Sequence, residues 1–449
     1  MRKLALLLPL LFAITAWPAT TTTAPVKKTT KPVKKKPARK IAHKKRPRPA
    51  IVAVAPQVRH VAFQAVSARA THPASTLEGA GALVPFFEQI SRPPENGSLH
   101  VLHYGDSHTA SDDWAAEMRQ SLQAKFGTGG PGFTLAGHPF AGYRRFDSKG
   151  NNSRGWYTDG LVGRQGDGIY GLSGVSLTTR SAGQTVSLVA DAEQIELHYL
   201  QQPSGGQLEF AVDGVPAGTI DTAGDLSPGI YRYTATAGSH EYVVTTTSDA
   251  PVRLFGWVAQ NHSGITYETL GINGAKAGLM LDWNQTILAG EMASRDPALI
   301  VVAYGTNEAL SRGWTEADYR SAFTEVIHRL RADAPVASIL IVGPPDCLQR
   351  YRGRRLPFPH LDDVIEIQRQ VALENGCAFW DWRSRMGGSG SVRQWVQAGL
   401  SQGDYVHFTG AGYRMIGDTV FRDLMSQYDI FLKARENLAA AASDSAQTR

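Results

Sequence analysis

Polar residues in two distant segments of the chain have the types and spacing needed for nucleophilic catalysis. Ser107 follows a mostly apolar run and precedes the helix-like segment 114–126, so we expect a strand, a tight turn and a helix, with the serine at the turn. Free N–H groups at the start of such a helix favour developing negative charge. Asp404 lies three residues before His407, a spacing at which a carboxylate can hold the imidazole and fix its tautomer. A serine activated in this way attacks ester carbonyls.

Two further turns supply candidate hydrogen-bond donors for the negatively charged oxygen of such a reaction. Asn307 follows the apolar run 299–304 and can donate from its side-chain amide. Gly274 lies in the turn Gly-Ile-Asn-Gly-Ala and can donate its backbone N–H beside that of Ser107. Each donor contributes on the order of 3 kcal/mol to the transition state. Taken singly, a Gly-Asp-Ser triplet, a capping Asn or a turn Gly is commoner as a purely structural feature.

The four segments together resemble a known family. Gly-Asp-Ser-His at Ser107, Ile-Asn-Gly-Ala at Gly274, Gly-Thr-Asn-Glu at Asn307 and Asp-Tyr-Val-His at His407 occur in the order typical of the SGNH hydrolases, the GDSL-like esterases. The resemblance covers roughly residues 75–145 and 263–430.

His108 stands where the general pattern has a leucine. This departure is similar to a bacterial subgroup that includes the peptidoglycan O-acetylesterases, as are the glycine-rich run 126–132 and the sequence Leu-Gly-Ile-Asn-Gly-Ala that begins at Leu270. That subgroup also has an inserted β-sandwich like a carbohydrate-binding module. The resemblance implies a hydrolase of O-acetyl esters on a glycan that needs no metal or other cofactor. His108 would bind substrate; alternatively, it hydrogen-bonds its own loop.

The resemblance also implies a role for each of the residues described above. It implies a catalytic triad of Ser107, Asp404 and His407, and an oxyanion hole formed by Ser107, Gly274 and Asn307.

Periodicity predicts one α/β domain interrupted by a β module. Strand and helix patterns alternate within 75–145 and again within 263–430, whereas 146–262 contains short alternating strands with tight turns. We therefore predict a three-layer α/β/α domain with a parallel, flavodoxin-like sheet and an inserted all-β sandwich. A C-terminal tail would occupy 431–449.

The N-terminal region differs in composition from the rest of the chain. Residues 1–19 have a charged start and a short apolar run, which predicts a signal peptide and a periplasmic or secreted protein; an uncleaved anchor is the alternative. Residues 20–74 are rich in Pro, Thr, Ala and Lys and predict a disordered linker. Twelve Lys or Arg lie within 27–48, so the remaining residues carry a net charge of −6. The linker would contact an anionic wall or membrane surface, or serve only as a solvated spacer. Nucleic acid is not an expected partner.

The two cysteines are predicted to be free thiols. Cys347 follows one predicted strand and Cys377 begins the next, so parallel strands would place them at opposite edges of the sheet.

Three functions remain open from the residues alone. A glycan O-acetylesterase is the first; transfer or removal of acetyl groups on a secreted polysaccharide by the same serine is the second. A glycan-binding protein with an inactive hydrolase domain is the third.

Overall fold

The computed structural model describes residues 54–72, 77–94, 97–163, 166–313 and 315–447, with only the backbone from 442 onward. None of the helices in these ranges is both long and apolar enough to cross a membrane. The α-helices are α1 (Pro56–Thr71), α2 (Val84–Ser91), α3 (Ser107–Ala110), α4 (Asp113–Phe126), α5 (Gln285–Arg295), α6 (Thr306–Ala309), α7 (Glu316–Asp333), α8 (Leu361–Glu374), α9 (Trp382–Met386), α10 (Val392–Gln397) and α11 (Gly410–Gln447).

The strands form one mostly parallel sheet, two antiparallel sheets and a separate hairpin. They are β1 (Leu77–Glu78), β2 (Leu99–Gly105), β3 (Gly132–Leu135), β4 (Lys149–Asn152), β5 (Tyr157–Asp159), β6 (Ser176–Thr179), β7 (Thr185–Asp191), β8 (Gln194–Gln201), β9 (Gln207–Val212), β10 (Val215–Asp221), β11 (Ser227–Thr234), β12 (Ser239–Thr246), β13 (Val252–Gln260), β14 (Ile265–Gly271), β15 (Leu299–Ala303), β16 (Ser338–Val342), β17 (Leu348–Tyr351), β18 (Arg354–Pro357) and β19 (Ala378–Trp380).

The mostly parallel sheet has the strand order β1-β19-β16-β15-β2-β14, and β1 is antiparallel to β19. Every residue of β15 and β16 is buried, because helices cover both faces of the sheet. Along β15, Ile300 and Val302 pack into one apolar core and Leu299 and Val301 into the other. Helices α5, α7 and α8 cover the first face, and α1, α2, α4, α9, α10 and α11 the second. The predicted three-layer α/β/α class is confirmed.

An all-β sandwich is inserted between β2 and β14, as the fold class predicted. Its two antiparallel sheets have the orders β10-β9-β12-β7-β4 and β11-β8-β13-β6-β5, with an apolar core between them. The chain enters the sandwich earlier than the boundary predicted at 146, because β3 pairs with β13. A strand of four residues is too short to be recognised by its alternation.

A buried ion cluster joins the sandwich to the α/β domain. His198 of β8 contacts Glu291 of α5 through Nδ1 at 2.9 Å and Glu196 through Nε2 at 3.1 Å. Burial alone would lower the pKa of His198, but the two carboxylates outweigh it and raise the pKa to about 9. The imidazole is therefore charged at neutral pH and bridges the two parts of the fold.

The prediction of a disordered linker over residues 20–74 is wrong for its last part, because Pro56–Thr71 form α1. Ala62, Val66 and Ala70 lie one turn apart and are buried. The guanidinium of Arg385 donates to three carbonyl oxygens at the end of this helix. Packing of a narrow face of small apolar side chains, together with these hydrogen bonds, holds the helix in place. The predicted signal peptide and residues 20–53 of the predicted linker lie outside the described residues.

The last helix extends into the predicted C-terminal tail. α11 continues to Gln447, so most of the predicted tail, 431–449, is helical. Its final turns are rich in alanine, which has the highest helix propensity of any residue.

Cys347 and Cys377 are buried and form no disulfide, which confirms the prediction of free thiols.

Candidate active site

The carboxyl edge of the parallel sheet brings the four predicted segments together. Ser107 follows β2, Gly274 follows β14 and Asn307 follows β15, and these three strands are neighbours in the sheet. Asp404 and His407 lie in the loop that leads into α11. Parallel strands of an open α/β sheet commonly build their binding sites at this edge.

Ser107, His407 and Asp404 form a hydrogen-bonded chain. The Oγ atom of Ser107 lies 3.0 Å from Nε2 of His407, and Nδ1 of His407 lies 2.9 Å from Oδ2 of Asp404. The other oxygen of Asp404 accepts the backbone N–H groups of Val406 and His407, each at 3.0 Å. These bonds fix the imidazole with one nitrogen aimed at the serine, the arrangement that lets it act as a general base.

The pKa shifts of His407 and Asp404 suit the role of a general base for His407. Burial lowers the pKa of His407, but the hydrogen bond and charge of Asp404 outweigh it, so the pKa lies above its usual value. Burial likewise raises the pKa of Asp404, and the hydrogen bonds from His407 and the loop amides bring it below its usual value. Asp404 is therefore ionised at neutral pH and can stabilise a protonated imidazole.

The serine turn requires glycine and aspartate at the positions before it. A Cβ on Gly105 would lie 2.1 Å from Oγ1 of Thr109 and 2.8 Å from the carbonyl oxygen of Ala303, so a side chain there would displace the turn. Asp106 accepts the N–H of His108 at 2.9 Å and caps α3. Burial raises the pKa of Asp106 to about 6.

The three predicted oxyanion donors lie in loops that follow the neighbouring strands β2, β14 and β15. α3 begins at Ser107, so the N–H of that residue has no acceptor within its own helix. Gly274 is exposed with a φ of +77°, and no atom lies within 4 Å of the position of a Cβ. Asn307 donates its amide to the carbonyl oxygen of Ala275 at 2.9 Å and to Oδ2 of Asp106 at a long 3.4 Å.

Glu308 links the two oxyanion loops, a role that the sequence reasoning missed. Its buried carboxylate accepts the N–H of Ala277 at 2.8 Å and the N–H of Gly305 at 3.0 Å. The loop with Gly274 is thereby fixed to the turn with Asn307. Burial raises the pKa of Glu308 to about 7. The capping-box spacing between Gly305 and Glu308 was the available signal.

The burial of His108 does not agree with its predicted substrate-binding role. Only 2% of this residue is exposed, and its Nδ1 lies 2.9 Å from the hydroxyl of Tyr413. Its ring centroid lies 5.2 Å from that of His407. His108 therefore packs beside the imidazole of His407, among the rings of Trp382 and Phe408.

The hairpin β17–β18 holds the loop that contains Asp404. Arg355 donates to the carbonyl oxygens of Asp404 and Gly403 at 2.9 and 2.8 Å, and its guanidinium lies 4.4 Å from the ring centroid of Tyr405. Leu348 donates its N–H to the carbonyl oxygen of Tyr405 at 3.0 Å. Tyr405 has a φ of +65°, which is unfavourable for a tyrosine. These contacts hold the strained turn in place.

A cleft of about 1030 Å³ opens beside Gly274. The sandwich insertion contributes Leu161 and Tyr170 to its lining, and the α/β domain contributes Lys276 and Asp282. A cleft lined by both apolar and polar side chains suits a bound sugar chain. In the described part of the chain, no group of three or more His, Cys, Asp or Glu is arranged to hold a metal ion.

Comparison with known proteins agrees with this geometry. The model of the GDSL-like Lipase/Acylhydrolase family matches residues 233–415, a range that contains Gly274, Asn307, Asp404 and His407. A solved peptidoglycan O-acetylesterase matches with a TM-score of 0.68 and 25% identity, over 79% of this chain and 99% of the other. The chain therefore resembles the SGNH hydrolases.

The chain also resembles the peptidoglycan O-acetylesterases and is a carboxylic ester hydrolase, which confirms the resemblance predicted from the four motifs. Family two carbohydrate esterases from Clostridium thermocellum and Cellvibrio japonicus also match, with TM-scores of 0.27 and 12% identity. They cover 56% and 63% of this chain and 94% and 99% of their own. No curated protein sequence matches the chain.

Proposed function

We propose that this hydrolase removes O-acetyl groups from peptidoglycan through an acetyl-serine intermediate. The 3.0 Å contact between Ser107 Oγ and His407 Nε2 carries the proposal, because a serine esterase needs it for attack. Peptidoglycan as the substrate is supported by the matched O-acetylesterase, whose chain is covered almost completely.

The reaction has two halves that use the same residues. His407 takes the proton of Ser107 while Oγ bonds to the acetyl carbon, and Asp404 stabilises the resulting imidazolium. The carbonyl oxygen becomes an oxyanion held by the N–H groups of Ser107 and Gly274 and by the amide of Asn307. The ester bond then breaks, and His407 gives its proton to the departing glycan oxygen, which leaves as a hydroxyl. In the second half, water loses a proton to His407 and attacks the acetyl-serine, and acetate leaves as Ser107 is protonated.

Asn307 changes partners during this reaction. Its 2.9 Å bond to Ala275 is retained and fixes the amide plane, whereas its long 3.4 Å contact with Asp106 is exchanged for the oxyanion. A weak contact costs little to break, so the donor is close to its working position before substrate arrives.

The glycan would lie in the cleft beside Gly274. Leu161 of the insertion would contact a sugar ring, and Lys276 and Asp282 would hydrogen-bond hydroxyl groups. In this proposal the sandwich helps to form the substrate cleft rather than acting as a separate module.

The substrate would be met outside the cytoplasm. Residues 1–19 have the composition of a signal peptide, and an exported chain has access to wall polymers. The twelve basic residues within 27–48 would contact an anionic wall or membrane surface.

Release of acetate from purified O-acetylated peptidoglycan, acetylated xylan and acetylated cellulose tests the proposal. Release should be greatest from peptidoglycan, and Ser107→Ala should lower kcat by roughly 10⁴-fold or more. Ser111→Ala is the matched control, because that hydroxyl bonds to the carbonyl oxygen of His108 and to the carboxylate of Asp113 rather than to His407. A folded Ser107→Ala variant that retains activity would refute the mechanism. Release of acetate from xylan alone would refute the assignment of peptidoglycan as the substrate. Acetyl transfer to added oligosaccharide in place of acetate release would assign the protein as a transferase.

A further inference from the structure

The hairpin beside the active site is unusually rich in arginine. β17 and β18 are joined by Arg352 and Gly353, whose positive φ values of 48° and 80° form a tight two-residue turn. Its ten residues, 348–357, include no Asp or Glu. They include four arginines: Arg350, Arg352, Arg354 and Arg355. We call residues 348–357 the arginine hairpin.

The charges of this hairpin are not neutralised within the described part of the chain. Arg350, Arg352 and Arg354 are exposed, and no described carboxylate forms an ion pair with any of them. Arg350 lies directly opposite Arg355 in the strand register. Like charges in that arrangement destabilise a hairpin unless an anion lies between them. Outside the N-terminal basic segment the chain is acidic, so this cluster is a local exception.

The arginine hairpin is fixed to the loop that contains Asp404 and His407, which we call the catalytic loop. Arg355 contacts the carbonyl oxygens of Gly403 and Asp404, and Leu348 contacts Tyr405. Residues opposite each other in register share one face of a hairpin, so Arg350 lies on the face that meets the catalytic loop. Arg354, adjacent to Arg355 along the strand, lies on the other face.

We propose that the arginine hairpin binds carboxylate groups of the polymer whose acetyl ester is cleaved at Ser107, with Arg350 and Arg352 as the contacts. This inference rests on the proposed function and narrows its substrate to an anionic glycan strand. Guanidinium groups bind carboxylates through two parallel hydrogen bonds. Arg355 is a positioning residue here, because its donors are used by the catalytic loop. The hairpin therefore increases the affinity for substrate without taking part in the chemical step.

Comparison of variants on three substrates tests the inference. The double variant Arg350→Gln/Arg352→Gln and the matched control Arg354→Gln are assayed on O-acetylated peptidoglycan, on the same polymer with its carboxylates amidated, and on 4-nitrophenyl acetate. The double variant should have a KM raised roughly fivefold to tenfold on the native polymer, since two exposed charge contacts are lost. On the other two substrates it should match the wild type, and Arg354→Gln should match it on all three.

Separate outcomes overturn the inference and the proposed function. Equal KM values for the double variant and the wild type on native polymer would overturn the inference, as would an equal loss in Arg354→Gln. Hydrogen fluoride removes phosphate-bearing polymers and so tests whether the hairpin binds phosphate instead. If this treatment alone abolishes the difference in KM between the double variant and the wild type, the carboxylate assignment is wrong. If the wild type releases no acetate from any glycan, the proposed function fails instead. Sedimentation of Ser107→Ala with peptidoglycan, with and without the two hairpin substitutions, would then still decide whether the hairpin binds it.

Discussion

Replacement of Glu308 by Gln should reduce catalysis while leaving the fold intact. The carboxylate accepts the N–H groups of Ala277 and Gly305 and so holds the two oxyanion loops together. Gln keeps one accepting oxygen and places an amide NH₂ against the other N–H donor. Loss of one charge-assisted hydrogen bond costs about 1.5–3 kcal/mol. If this cost falls on the transition state, kcat should fall roughly 10- to 100-fold.

Steady-state kinetics with 4-nitrophenyl acetate measures this effect. KM should change little, because the oxyanion forms only in the transition state. Burial raises the pKa of Glu308 to about 7, so at lower pH the wild-type carboxyl is protonated and also loses an acceptor. The ratio of wild-type to variant kcat should therefore shrink as the pH falls below about 7. Glu316→Gln, an exposed change at the start of α7, is the control. A folded Glu308→Gln variant with kcat within twofold of the wild type would refute the reasoning.

Three further predictions concern the triad, the insertion and the N-terminal helix. Asp404→Asn should lower kcat roughly 10⁴-fold, and the acid limb of its residual kcat/KM should move to lower pH because Asp404 raises the pKa of His407; an unmoved limb contradicts this. The raised pKa of His198 adds stability that is complete below its unfolded value and is lost as the pH rises through about 9. Thermal melts should thus show the wild type losing on the order of 3 kcal/mol between neutral pH and pH 9 or above, and His198→Gln a flatter profile over that range. Removal of residues 1–53 should leave Tm unchanged, whereas removal of α1 as well should lower it by about 5 °C or more; equal melting temperatures would show that α1 does not contribute to stability.

Strands of the α/β domain were predictable from the sequence where a continuous apolar run marked them. β15 and β16 are continuous apolar runs of strand length, and parallel strands buried on both faces have that pattern. The candidate catalytic segments were recognisable because four motifs occur in one order, although each is weak alone. Their convergence at one sheet edge follows from the parallel topology.

Other features were not predictable because they depend on tertiary contacts. α1 is stabilised by a narrow buried face and by Arg385, which lies far away in the sequence. The arginine hairpin has little apolar character, and its position depends on the loop at Asp404. The burial of His108 results from aromatic side chains contributed by distant segments, including Tyr413. Helix propensity and hydrophobic periodicity are local properties of the sequence, so they do not reveal contacts between distant segments.

The insertion of the sandwich also determines when the catalytic sheet can be assembled. β2 lies between β14 and β15, and its paired residues in β14 are 166 positions later in the chain. At usual rates of translation, on the order of 10–30 s separate the synthesis of the two strands. During that interval both edges of an apolar strand lack their partners and are open to intermolecular pairing. Products that terminate within the sandwich should therefore aggregate, and yield during expression should depend on chaperones that bind β2 until its neighbours are made.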